Sequence, residues 1–325
     1  MLNFMHKADV ALKIHDSIFL LSAEEDGRTD AMKSILLLSG MLVETAFLFD
    51  NPEDALEASF DHLSGLLSCD PFEGPVRRVA MPPATVLDFD TEQGRALARE
   101  VFEDWLDCGY EFHETMMFLI QQHFVRWEQY GQARTESLRL LIECTYRAMA
   151  YELAAQELCD AVIERKIGLD GWSIGDGIAG VAGLSGRKLA LSHEGRDQCC
   201  WFQGAQLPDF LDQTAYVMTQ EAVRLGLNSS TDWRFGLPAN DVPANPPYDL
   251  IKGIEGICAG FFNAIEMNDY GDQAVSCAKA AGRLLAVAAG GEKPQMEPAI
   301  AKPLAMAALT ESYKSMCVDD IAAYI

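Results

Sequence analysis

Residues 171–186 read GWSIGDGIAGVAGLSG, six glycines in sixteen positions. How this stretch is read decides the fold class. Gly175, Gly177 and Gly180 match the G-x-G-x-x-G spacing of a dinucleotide-binding loop, which would make the chain an α/β protein. Such a loop works because a strand delivers a tight glycine turn to a helix N-terminus, where backbone N–H groups and the helix dipole hold pyrophosphate.

Neither flank supplies that context. Upstream, Thr135 to Ile167 carries a continuous helical pattern, and Gly168-Leu169-Asp170-Gly171-Trp172 intervenes where a strand is required. Downstream, the acids Glu194 and Asp197 fall beyond the first arm of a hairpin candidate, RKLALS and QCCWFQ on either side of HEGRD, rather than at the end of a second strand. The stretch therefore reads as a loop with a short helical turn, and the chain as mainly all-α. Glycines three apart drift about 60° per step round a helix, so Gly177, Gly180, Gly183 and Gly186 cannot form one straight groove. Gly253, Gly256 and Gly260 share a face and read as a close helix contact.

Working outward, helical signals dominate both sides. Asn51-Pro52-Glu53-Asp54 is a start signal, with a capping Asn, Pro at the first helical position and acids at the positive end of the dipole. Ile35 to Phe49 is apolar nearly all round but is fifteen residues long and contains Glu44, which suits a buried helix better than the roughly 20 residues of a membrane span. The expected organisation is an acidic helical bundle over 1–167, followed by a glycine-rich helical region over 168–325 with one short β-hairpin. The two regions pack as one body or stand as separate domains.

Composition narrows the function classes. The net charge is −24, from 49 acids against 25 Lys and Arg. Residues 1–167 hold 30 of the acids and 14 of the bases, hence −16 of that charge. A surface of this sign repels phosphate backbones and anionic lipid, so the expected partner is a protein with a basic surface, with no direct nucleic acid and no membrane. The nine cysteines show no C-x-x-C spacing and no secretory segment precedes them, which leads to the expectation of reduced thiols in a cytoplasmic protein.

Two acids stand out as candidate buried carboxylates. On the helical wheel of the long Thr135–Ile167 segment, Glu152 falls among Leu141, Thr145, Ala148, Ala155 and Cys159, opposite Glu136, Glu143, Glu157 and Glu164. Glu44 sits on a helix with hardly any polar face. A buried carboxylate must pair with a base, hydrogen-bond, bind a metal or keep its proton. With His15, His113 and His123 these two compose a candidate site for a divalent or iron-type metal, although the Glu-x-x-His pairs of di-metal bundles are missing.

Three functions follow. The first is a non-enzymatic interaction, scaffold or regulatory protein using its acidic helical surface. The second is an enzyme with a carboxylate and histidine metal site within the bundle. The third is a small-molecule or nucleotide-binding protein using Gly175, Gly177 and Gly180.

Overall fold

The computed structural model describes residues 14–23, 30–71, 81–103, 109–129, 133–192, 209–227, 247–290 and 294–322. They form helices α1 (14–22), α2 (Ala31–Ala46), α3 (Pro52–Leu67), α4 (Ala84–Glu103), α5 (Gly109–Gln129), α6 (Arg134–Val162), α7 (Ile174–Leu191), α8 (Asp209–Arg224), α9 (Pro247–Ala264), α10 (Tyr270–Ala289) and α11 (Pro298–Ala322). No β-strand occurs among the described residues, and the chain is mainly all-α. None of the described helices is long and apolar enough to cross a membrane. Cys199, Cys200 and the segment 228–246 lie outside the described residues.

The decisive stretch departs from its expected form. Residues 174–191 are one uninterrupted helix, α7, rather than a loop with a turn. Ser173 starts it with a capping box: its Oγ accepts from the Asp176 N–H at 3.1 Å while the Asp176 carboxylate accepts from the Ser173 N–H at 3.1 Å. RKLALS, the expected first arm of the hairpin, is the C-terminal end of this helix, closing at Ser192; the second arm lies outside the described residues. Before α7, α6 runs on into a π-helical turn over Ile163–Leu169, and Gly171 turns the chain at φ +71°.

Five helical glycines lower the intrinsic stability of α7 by about 1 kcal/mol each relative to alanine. Packing on several sides offsets this. Around the helix, Gly175 meets Met296, Gly177 meets Ile167, Gly180 meets Ile254 and Trp172, and Gly183 meets Ser312 and Ile251. Gly186 is the tightest, where a Cβ would stand 2.0 Å from the Leu309 carbonyl oxygen. The drift of the glycines thus suits a helix enclosed by others, and α7 packs against α9, α10 and α11. The second glycine cluster behaves differently from its expected role as a close contact. Gly253 packs on the Trp172 ring, but Gly256 and Gly260 have nothing within 4 Å.

Proximity along the backbone groups the chain into two units, Met1–Pro82 with Asp90–Met149 and Pro83–Phe89 with Ala150–Ile325. In the first, α2 buries Ile35 to Leu38 and Met41 to Val43, as expected of its apolar run. Asp30 caps it, accepting from the N–H groups of Met32 at 2.8 Å and Lys33 at 3.2 Å. Asn51 accepts from the Asp54 N–H at 3.5 Å to start α3, which buries Leu56, Phe60, Leu63 and Leu67. The second unit is centred on α7, with α8 packed on α10.

Candidate functional site

Each unit holds a buried carboxylate that is met by cations. In the second unit Glu152 is 1% exposed, as its wheel position requires. Its Oε1 lies 2.6 Å from Lys279 Nζ, and its Oε2 lies 3.2 Å from Arg283 Nη2 and 3.5 Å from Arg224 Nη2. Glu221, fully buried, lies 2.6 Å from Arg224 and 2.8 Å from Arg283 Nε. Asp88 adds a third acid, 3.4 Å from Lys279. Three acids thus face three bases in a formally neutral network.

The local sequence explains its assembly. Lys279 and Arg283 are four apart on α10, and Glu221 and Arg224 are three apart on α8, so each pair shares a face. Between them Gly282 lets the helices close, because a Cβ there would stand 2.4 Å from the Met218 carbonyl oxygen. Removing the glycine's neighbouring side chains from water raises every interaction inside, and the same burial makes an unmatched charge expensive. Tyr151, buried on the turn beside Glu152, donates to Asp272 at 2.5 Å.

In the first unit Glu44 Oε2 accepts from Arg95 Nε at 2.8 Å and Arg99 Nη1 at 3.1 Å. Glu92 completes the set, 3.3 Å from Arg95 and 2.8 Å from Arg99. Arg95 also lies 5.9 Å from the centre of the Phe47 ring. Glu44 is thus half-buried rather than buried, and like the buried Glu152 it pairs with bases.

Two of the three candidate histidines meet each other. His15 and His123 stack with ring centres 5.3 Å apart, and His123 also tilts against Trp127 at 6.0 Å. His113 lies on α5, and its side chain is outside the described residues. No group of three or more His, Cys, Asp or Glu among the described residues is arranged to hold a metal ion. Gly175, Gly177 and Gly180 lie in the first two turns of α7 against Met296, Ile167, Ile254 and Trp172. At that helix start the Asp176 carboxylate already takes the Ser173 N–H and hydroxyl.

A different surface emerges on α3. Glu53, Glu57 and Asp61 recur every four residues along one exposed face, and none of the three has an ion pair among the described residues. Glu57 and Asp61 line one groove with Tyr146 of α6, whose hydroxyl pKa is raised by burial first and then by the charges of Glu57, Glu53 and Asp61. Sequence reasoning passed over this face because acids at helical spacing are the ordinary pattern of a solvated surface.

The described residues form a mainly all-α chain that holds two charge-balanced ionic clusters. Comparison with known protein families, with curated proteins and with solved structures finds no match for it.

Proposed function

We propose that this chain is a non-enzymatic interaction, scaffold or regulatory protein, an acidic helical bundle whose surface meets a basic partner in the cytoplasm. The observation that supports this reading is where the charge excess resides. The two buried networks consume five acids (Glu44, Glu92, Asp88, Glu152, Glu221) and five bases (Arg95, Arg99, Arg224, Lys279, Arg283). Taking five from 49 and five from 25 leaves 44 acids against 20 bases elsewhere, so the whole −24 lies outside these networks.

A field of that sign accelerates encounter with cations and repels nucleic acid. The test is association of the full chain with poly-L-arginine and poly-L-lysine as salt rises from about 50 to 300 mM, where the screening length shortens. Affinity that falls steeply with salt, with no binding to duplex DNA, is the expected result. Association indifferent to salt, or none at all, removes this reading.

A further inference from the structure

A groove of about 520 Å³ opens in the first unit between α3 and α6, lined by Glu57, Phe60, Asp61, Cys69, Ile142 and Tyr146 among others. Its wall is aromatic: the Phe60 and Tyr146 rings lie 5.7 Å apart at 44°, and Tyr146 remains 38% exposed. Its rim is anionic, with Glu57 and Asp61 lining it and Glu53 one turn away. Like charges four apart on a helix repel, by a few tenths of a kcal/mol per pair. Here the row stands with no ion pair from the described residues to relieve it.

Concavity, exposed aromatic surface and carboxylates with no ion pair among the described residues select for one ligand chemistry. A cation over an aromatic face is attracted by the ring quadrupole, and the carboxylates supply the counter-charge. A guanidinium fits both demands better than an ammonium, since its plane stacks on a ring while its N–H fork grips a carboxylate through two bonds. The row of acids, about 6 Å from one to the next along the helix, nearly matches the ~6.8 Å repeat of alternate side chains on an extended chain.

We propose that this groove docks a basic segment of a partner protein, an extended stretch with arginine at alternate positions, one guanidinium stacking on Tyr146 between Glu57 and Asp61. The proposal deepens the reading of the chain as an acidic interaction protein and rests on it. The Tyr146 hydroxyl pKa is raised by burial first and then by these carboxylates, whose charge a bound guanidinium opposes.

The test uses the full chain and three labelled peptides of one length, carrying alternating arginine, alternating lysine or alternating citrulline, followed by fluorescence anisotropy. The arginine peptide is expected to bind more tightly than the lysine peptide, and the citrulline peptide not at all. Tyr146→Ala is expected to weaken the arginine peptide about tenfold and the lysine peptide less. The exposed pair Glu57→Gln with Asp61→Asn, which leaves the core untouched, is expected to weaken both about tenfold. Glu157→Gln with Asp160→Asn, equally exposed but in the second unit, is expected to change binding less than twofold. Groove variants that weaken binding no more than this control overturn the docking site and leave the acidic-surface reading standing. Failure of both cationic peptides to bind the parent chain at low salt overturns both.

Discussion

The two units bring a charged pair together by the same device and then differ in how many of the charges around it they bury. In the first, α2 and α4 approach through Gly40 and Gly94, where a Cβ would stand 1.8 Å from the Thr91 oxygen and 2.0 Å from the Leu37 oxygen. Arg95, just after Gly94, meets Glu44, one turn after Gly40. In the second, Arg283, just after Gly282, meets Glu221, one turn beyond the Met218 carbonyl that Gly282 touches. In the first network Arg95 and Glu92 keep 2% or less of their side-chain exposure and Glu44 and Arg99 keep 13% and 24%; in the second, Lys279, Asp88, Glu152 and Glu221 keep 1% or less and Arg283 and Arg224 keep 12% and 19%. Helix approach sets which charges meet. Burial sets what it costs to part them.

The largest effects should come from the second network. Glu152→Ala takes from Lys279 its partner at 2.6 Å, leaving Asp88 at 3.4 Å, and takes one of two carboxylates from Arg283; breaking a pair buried to 1% costs about 3–5 kcal/mol. Glu44→Ala leaves Arg99 partly solvated and Arg95 still beside Glu92, so a loss of about 1–2 kcal/mol is expected. Urea unfolding combined with amide exchange, read on helices of each unit, measures the two costs side by side. Equal losses would break the link drawn between burial and energy. Adding Zn²⁺, Mn²⁺ or Fe²⁺ to the parent chain is expected to leave the melting temperature unchanged, because the carboxylates a metal would need are engaged by cations.

Next come the glycines that permit approach. Gly94→Ala and Gly282→Ala drive a methyl into a backbone oxygen, which cannot rotate away, and each is expected to destabilise by about 3 kcal/mol. Gly65→Ala makes the opposing case. Nothing lies within 4 Å of its Cβ position on α3, so relief of the helical glycine penalty is expected to stabilise by up to about 1 kcal/mol. Thermal melts of the three variants check the signs.

These contrasts also explain what could be read from sequence. Burial of Glu152 was legible because a helical wheel is local, and the start of α3 was legible because Asn51-Pro52 acts within one turn. The partners were not, since Arg224 and Arg283 lie 72 and 131 residues beyond Glu152 and no spacing rule joins them. A usable signal was present on α10, where Lys279 and Arg283 interrupt the otherwise small and apolar run CAKAAGRLLAVAA. Residues 171–186 misled for a physical reason: glycine propensity argues for a loop, and tertiary packing on several sides overrides propensity. The Ser173-x-x-Asp176 box was the local cue for a helix start.

The smallest expected effect sharpens the comparison at neighbouring positions of one helix. Asp88, in the second unit, is buried with Lys279 at 3.4 Å. Asp90, in the first, is also buried, and its pKa is pushed from 3.8 up to about 6, by burial first, with Lys33 lowering it and Asp30 raising it. A carboxyl whose folded pKa exceeds its unfolded one binds its proton more tightly in the folded state. Its stabilising contribution is complete below about pH 4 and is lost as pH rises through about 6. Asp90→Asn, which imitates the protonated form, is therefore expected to match the parent near pH 4 and to exceed it by roughly 2 kcal/mol at pH 7. Melting temperatures taken from pH 4 to 7 decide it: parallel curves for parent and variant would mean that Asp90, like Asp88, has its charge compensated inside the fold.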